Sequence, residues 1–205
     1  NKATFEFTEF LESYIKHRRK IPRPDLLSDL IAAEELGEKL TGAELISTCI
    51  LLLNAGHEAT VHTLGNALNT LLPTNFRTVT SELIEEVLRY DPPLHVFTRF
   101  AYQDIDCFGY KIEKGQEVAC VLASANRDPA FLEKPDKFDP FRKPGQHQSF
   151  GAGIHFCVGA PLARLEINLG LATLFERLPN LKINAPAEYG DTYHFHGLKA
   201  LMLTY

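Results

Sequence analysis

The stretch Phe150-Gly151-Ala152-Gly153-Ile154-His155-Phe156-Cys157-Val158-Gly159 restricts what this chain can fold into more than any other part of it. Its glycines reach backbone torsions closed to other residues and let a flat ligand approach closely. Ala160-Pro161-Leu162-Ala163-Arg164-Leu165-Glu166 then reads as a helix start, because proline suits a first turn that needs no backbone N–H. Cys157 is therefore placed beside a helix N-terminus. Unpaired amides and the positive end of the helix dipole there favour thiolate over thiol. Phe150 and Phe156 are expected to help exclude water. Two readings of Cys157 stand: a thiolate that binds a metal or attacks an electrophile, or a small buried hydrophobe beside a turn.

The chain's 205 residues suffice for one domain with a sizeable core. With 45% hydrophobic and 23% charged residues the composition is that of a globular protein. A net charge of −5 gives no reason to expect nucleic acid or an anionic membrane as partner. Cysteines at 49, 107, 120 and 157 show no C-x-x-C spacing, which argues against a disulfide scaffold and suits a reducing cytoplasm. Cys49, Cys107 and Cys120 read as packing thiols. No apolar run reaches membrane-spanning length, and no signal-peptide pattern opens the chain, so no membrane anchor is expected. The chain begins with Asn1 and is expected to be processed, cut or incompletely represented.

Helical spacing of Phe7, Phe10, Leu11, Tyr14 and Ile15 predicts an amphipathic helix over 3–20, closed by a solvated basic turn at 16–20. Pro22 and Pro24 break it, Asp25 can cap a helix over 26–35, and Gly37 ends that helix. Thr41 and Glu44 form a capping-box pattern that opens the longest helical run, 42–72, stopped by Pro73. Such a helix is about 46 Å long, enough to cross a domain. In its middle, Ile50 to Leu53 is apolar and Asn54 to Thr60 abruptly polar. His57 and Glu58 there either face solvent or mark a ligand or an inserted water. His57 and His62 are five apart, about 140° around a helix, so the zinc-protease pattern is rejected.

Ser81–Tyr90 reads as a capped helix stopped by Asp91-Pro92-Pro93, and Glu86 and Arg89 share one face of it. Strands are expected over 94–101 and 118–122, with turns at 106–109 and 113–116. The helix over 161–178 places Leu162, Leu165, Leu169, Ala172 and Phe175 on an apolar face expected to be core. Pro179 ends it. His194 and His196 alternate around Phe195 in a strand or turn, a spacing that reflects shape rather than metal binding.

Taken together, Phe150-x-x-Gly153-x-x-x-Cys157-x-Gly159 resembles the haem-binding loop of the cytochrome P-450 superfamily. Three further stretches match in the family's order. Ala55-Gly56-His57-Glu58-Ala59-Thr60 resembles its oxygen-activating helix, Glu86-Val87-Leu88-Arg89 its E-x-x-R, and Arg99 its strand arginine. The resemblance implies a mainly α fold with small β-sheets around haem b, residues 1–205 forming the C-terminal portion of one haem-thiolate domain. Cys157 would be the axial thiolate ligand, donating charge that favours O–O cleavage. His155 and Arg99 would hold the propionates, and Phe150, Gly151, Gly153, Gly159, Ala55 and Gly56 would border the haem. Glu86 and Arg89 would tie their helix to the loop that precedes the cysteine. Leu53, Ala59, Val96, Phe97 and Phe195 would line an apolar substrate pocket.

The implied activity is a monooxygenase that activates dioxygen to hydroxylate or epoxidise a small apolar organic substrate. Electrons would come from a ferredoxin, with its reductase, or a flavoprotein. One residue departs from the family pattern. Ala59 stands where a threonine usually positions water for proton delivery, leaving Glu58 and Thr60 as the polar groups nearby. Substrate hydroxyls, an ordered water or Thr60 would then replace it, or peroxide would serve as oxidant in a peroxygenase or peroxidase. The connection from 72 to 81 is also shorter than the family's, so a helix is expected to be reduced there. A truncated, non-catalytic chain is the third reading.

Overall fold

A computed structural model of the chain describes residues 2–35, 40–74, 76–145, 147–192 and 194–205. The expected helix stop at Gly37 and Tyr193 of the tail lie outside the described residues. Helices dominate, with small two-stranded antiparallel sheets between them. The chain divides into two compact units, Asn1–His57 and Glu58–Tyr205.

In the first unit, α1 (Lys2–Lys20) and α2 (Leu26–Glu35) join the first half of α3 (Gly42–Leu71). The core is Leu11 and Ile15 of α1, Ile31 of α2, and Leu45 and Cys49 of α3, each helical pair four apart and so on one face. Both expected caps form. Asp25 Oδ1 accepts from Ser28 N at 3.0 Å. Glu44 Oε2 accepts from Thr41 N at 2.7 Å while Thr41 Oγ1 accepts from Glu44 N at 3.3 Å, the reciprocal box that satisfies otherwise orphaned donors. Two expectations need correction. Phe7, Phe10 and Tyr14 are not core but exposed, stacked along α1 with centroids 6.4 and 5.9 Å apart. Arg18 does not belong to a solvated basic turn: it is buried, bonded to Asp25 and to Tyr14 Oη, which satisfy its charge away from water.

In the second unit, α3 ends in a tight turn at Leu72–Thr74, and no helix fills 76–80. Thr80 Oγ1 caps α4 (Ser81–Tyr90) by accepting from Leu83 N at 3.2 Å. A hairpin-bearing region follows: β1 (Val96–Phe100), β2 (Ile105–Cys107), β3 (Tyr110–Ile112) and β4 (Glu117–Val121), then the single turn α5 (Leu122–Ala125). β1 pairs with β4 and β2 with β3. An irregular stretch leads to α6 (Ala160–Arg177). Short strands close the chain: β5 (Lys182–Ile183) pairs with β8 (Leu203–Thr204), and β6 (Glu188–Tyr189) with β7 (Leu198–Ala200).

The core of this unit joins Ala67 and Leu71 of α3, Leu83, Ile84, Val87 and Leu88 of α4, and Ile167, Leu171 and Phe175 of α6. A Cβ at Gly170 would lie 3.2 Å from Leu64 Cδ2, so glycine permits the close approach of α6 to α3. The apolar face expected for α6 is corrected here. Leu162, Leu165 and Leu169 are exposed, and Ala160, Ile167, Leu171 and Phe175 are buried. The helix is apolar on two sides, and spacing alone does not say which side α3 and α4 cover. No helix of the described residues is long and apolar enough to cross a membrane.

The two sides of α6 separate energetically. Leu171→Ala, at a position with 0% exposure, is expected to lower stability by about 2–5 kcal/mol. Leu169→Ala, at 56% exposure, is expected to cost under about 1 kcal/mol. Denaturant unfolding of both variants measures the difference.

Candidate active site

The cysteine loop is shaped by its backbone. Gly151 and Gly153 take φ of +69° and +66°, values that disfavour any side chain with a Cβ. Gly151 N donates to Gln148 O at 2.8 Å, Phe156 N to Gly153 O at 3.1 Å, and Cys157 N to Phe150 O at 2.9 Å. These bonds fold the loop back on itself and deliver Cys157 to the start of α6. Gly159 is the N-cap and has no side chain to cap with, while Pro161 follows within the first turn. A Cβ at Gly159 would sit 3.8 Å from Cys157 Sγ, so the sulfur lies close over the helix start. Cys157 is exposed, as are Ile154, Phe156 and Val158 around it. Of the two expected water-excluding rings, Phe150 packs against the core while Phe156 stands 51% exposed.

Arg164, one turn into α6, lies over the Phe150 ring at 4.6 Å. Its hydrogen bonds to Glu85, joined by attraction to Glu85 and Cys157, raise its pKa against the effect of burial. Arg164 Nε and Nη2 donate to the two Glu85 oxygens at 2.5 and 2.9 Å, and His147 lies 3.1 Å from the same carboxylate. Burial works against the Glu85 charge, but the bonds from Arg164 and His147 outweigh it and hold the carboxyl at about 2.

One residue along α4, Glu86 is buried with its side chain 1% exposed. Arg89 Nε and Nη2 donate to its two oxygens at 2.7 and 2.9 Å, Asp139 N donates at 2.9 Å, and Arg142 Nε lies 3.1 Å away. Arg89 Nη1 reaches on to the carbonyls of Asn126 and Pro135 at 3.0 and 2.8 Å. Asn126 relays the contact: its Nδ2 donates to Ser149 Oγ at 2.8 Å and its Oδ1 accepts from Gln148 N at 2.6 Å. The pair thus connects α4 to the segment that enters the cysteine loop.

The other expected residues divide by unit. Leu53, Ala55 and Gly56 are exposed on α3 in the first unit. In the second, Glu58 is exposed and lies 3.7 Å from His62, one turn on. Ala59 and Thr60 are half-buried. Thr60 Oγ1 donates to Glu166 Oε2 at 3.4 Å, and Thr63 Oγ1 donates back to the Ala59 carbonyl at 2.7 Å. Val96 and Phe97 start β1, and Leu94 bridges Phe195 of the tail. The Phe97 ring meets that of His194 edge-on at 5.4 Å. Arg99 and His155 are both exposed, and among the described residues neither has an acid partner; Arg99 donates only to the Thr98 carbonyl.

This donor set fits an iron porphyrin. An exposed thiol at an uncapped helix start can meet a metal, bare apolar side chains beside it can meet a flat ring, and Arg99 and His155, two nitrogen donors without acid partners, can meet carboxylates. Sequence reasoning missed Glu85, His147, Arg164 and Asn126, which carry no motif of their own. The adjacency of Glu85 to Glu86 was the available signal.

A family model described as "Cytochrome P450" matches residues 74–184. The chain is 38% identical over 205 residues to the biotin biosynthesis cytochrome P450 of Bacillus subtilis (strain 168), covering 96% of this chain and 52% of that protein. It is 39% identical over 192 residues to the polyketide biosynthesis cytochrome P450 PksS of the same organism, covering 89% and 47%. The crystal structure of P450BioI, solved in complex with a hexadec-9Z-enoic acid ligated acyl carrier protein, superposes with a TM-score of 0.90 at 38% identity. That match covers 98% of this chain and 54% of the other. The chain spans about half the length of the curated relatives it matches.

The Glu85 bonds generate a pH prediction. A carboxyl at about 2 when folded and 4.5 when free stabilises the fold above pH 4.5, and that contribution is lost as pH falls toward 2. In Glu85→Gln, the fall in the denaturation midpoint across this window is expected to flatten. Removing the Glu86 carboxylate, as in Glu86→Ala, leaves Arg89 buried and unpaired and is expected to cost about 3–5 kcal/mol in the same assay.

Proposed function

This chain belongs to the cytochrome P450 family, and from that premise we propose that it carries the thiolate side of a haem-thiolate monooxygenase acting on a small apolar organic substrate. Residues 1–205 are read as part of a single haem-thiolate domain. Bound haem b supplies the activation of dioxygen that the polypeptide lacks. Cys157 holds the iron, and the observation that carries this role is its exposed sulfur over the uncapped start of α6. Arg99 and His155 hold the propionates, the Arg99 fork being suited to a bidentate grip. Phe150, Gly151, Gly153 and Gly159 would border the ring. Val96, Phe97 and Phe195 supply apolar contacts to substrate. Glu58, open to solvent, exchanges protons, with Thr60 beside it. Electrons arrive from a ferredoxin or flavoprotein, consistent with a cytoplasmic enzyme.

Ala59 favours a second reading, peroxide use without a reductase. No hydroxyl is available at that position, and the neighbouring Thr60 hydroxyl is engaged with Glu166.

Haem-loaded full-length protein, reduced and exposed to carbon monoxide, is expected to show the strongly red-shifted Soret band of thiolate ligation. Cys157→His should lose it. A parent band at the position typical of histidine ligation would overturn the thiolate reading. Ala59→Thr is expected to raise the fraction of reductant recovered as product, read as product formed per NAD(P)H consumed. Unchanged coupling over several substrates, with steady turnover on peroxide alone, would move the assignment to the peroxygenase.

A further inference from the structure

Asp91, His95 and His196 come together from three parts of the second unit: the end of α4, the residue before β1, and the tail. A ligand atom from each lies within 4.8 Å of the other two. Asp91 Oδ1 is 3.0 Å from His196 Nε2, and the two imidazole centroids are 4.2 Å apart with planes at 22°. Asp91 Oδ1 and His196 Nε2 are already as close as two ligands of one ion, and because stacked rings cannot both hold an ion in their planes, His95 must turn to bring a ring nitrogen to it. His194, by contrast, packs on Phe97 and Phe195 and takes no part.

The surroundings hold these groups in place. Asp91 and His196 side chains are only 18% and 29% exposed. Tyr189 Oη donates to the second Asp91 oxygen at 3.0 Å, and its ring stacks on His196 at 4.3 Å. Asn66, fully buried, donates to the backbone carbonyls of both Asp91 and His196, at 3.3 and 3.0 Å. Partners of this kind fix the orientation of metal ligands. Pro92 and Pro93 restrict the chain between Asp91 and His95, and His196 N donates to Pro93 O at 2.7 Å. The nearby positive charge of Arg127 is paired with Asp136 at 3.0 Å.

We propose that Asp91, His95 and His196 form a site for one divalent transition-metal ion, Zn2+ by preference, with a water in the fourth position. Two imidazoles and a carboxylate are a borderline-soft set that suits zinc over calcium or magnesium. Binding replaces the Asp91–His196 hydrogen bond with bonds that fasten α4, the root of β1 and the tail to one another. The Leu94–Phe195 bridge lies between these points, so the ion stiffens Val96 and Phe97 relative to Phe195.

The test uses the full-length, haem-loaded protein, stripped with chelator and titrated with zinc chloride against a chromophoric zinc indicator. One Zn2+ per chain is expected to bind at about 10 µM or tighter, with a rise in Tm. His95→Gln and Asp91→Asn should each weaken binding at least about tenfold and abolish the rise, while His194→Gln should change neither. His196 is sandwiched between rings, so the test rests on the first two variants, whose far-ultraviolet circular dichroism must match the parent's. Binding weaker than about 100 µM in the parent, or equal affinity in the parent and both variants, would overturn the site.

Discussion

The buried carboxylate of Glu86 is the interaction on which the second unit turns. A charge withdrawn from water is tolerated only when its oxygens are fully engaged, and here two guanidinium groups and a backbone amide engage them. The same guanidinium that satisfies Glu86 satisfies carbonyls at 126 and 135, so one charge pair organises a stretch with no regular secondary structure. Irregular backbone must still find partners for its polar groups, and a buried arginine with five donors supplies several at once. Through Asn126 and Ser149 this order reaches Phe150, whose carbonyl receives the Cys157 amide. The position of the sulfur thus depends on a helix far earlier in the chain.

α6 joins two requirements. Its buried stripe, Ile167, Leu171 and Phe175, packs into the core with α3 and α4. Its first turn has no side-chain cap, and Ala160 N donates to the Cys157 carbonyl at 3.2 Å, tying the cysteine's own backbone to the helix start. A helix anchored by its middle and open at its start is suited to presenting a thiolate. The leucines on its other side, exposed in this chain, explain why its sequence reads as apolar all round.

Much of this was legible in the sequence because local rules dominate there. Caps at Asp25 and Thr41, breaks at prolines and the glycine-punctuated loop fall where short-range chemistry places them. The outcomes set by distant partners were not legible. Arg18 sits within a basic run, and only the fold brings Asp25 and Tyr14 to it. The choice between the two apolar sides of α6 belongs to the helices that pack on it. His95 and His196 carry no common motif, being a hundred residues apart, and the proline-braced turn after α4 brings them together.

The adjacent acids Glu85 and Glu86 show how one helix can govern both the place and the electrical surroundings of the sulfur. Successive residues on a helix point about 100° apart, so the two carboxylates serve different neighbours. Glu86 faces inward and holds the irregular segment. Glu85 faces α6 and takes Arg164 in a two-point grip. The Glu85 hydrogen bonds are the main reason the Arg164 pKa is raised, so the guanidinium stays fixed against that carboxylate. The Phe150 ring lies beneath that arginine at 4.6 Å, linking the loop's first residue to the Glu85–Arg164 pair.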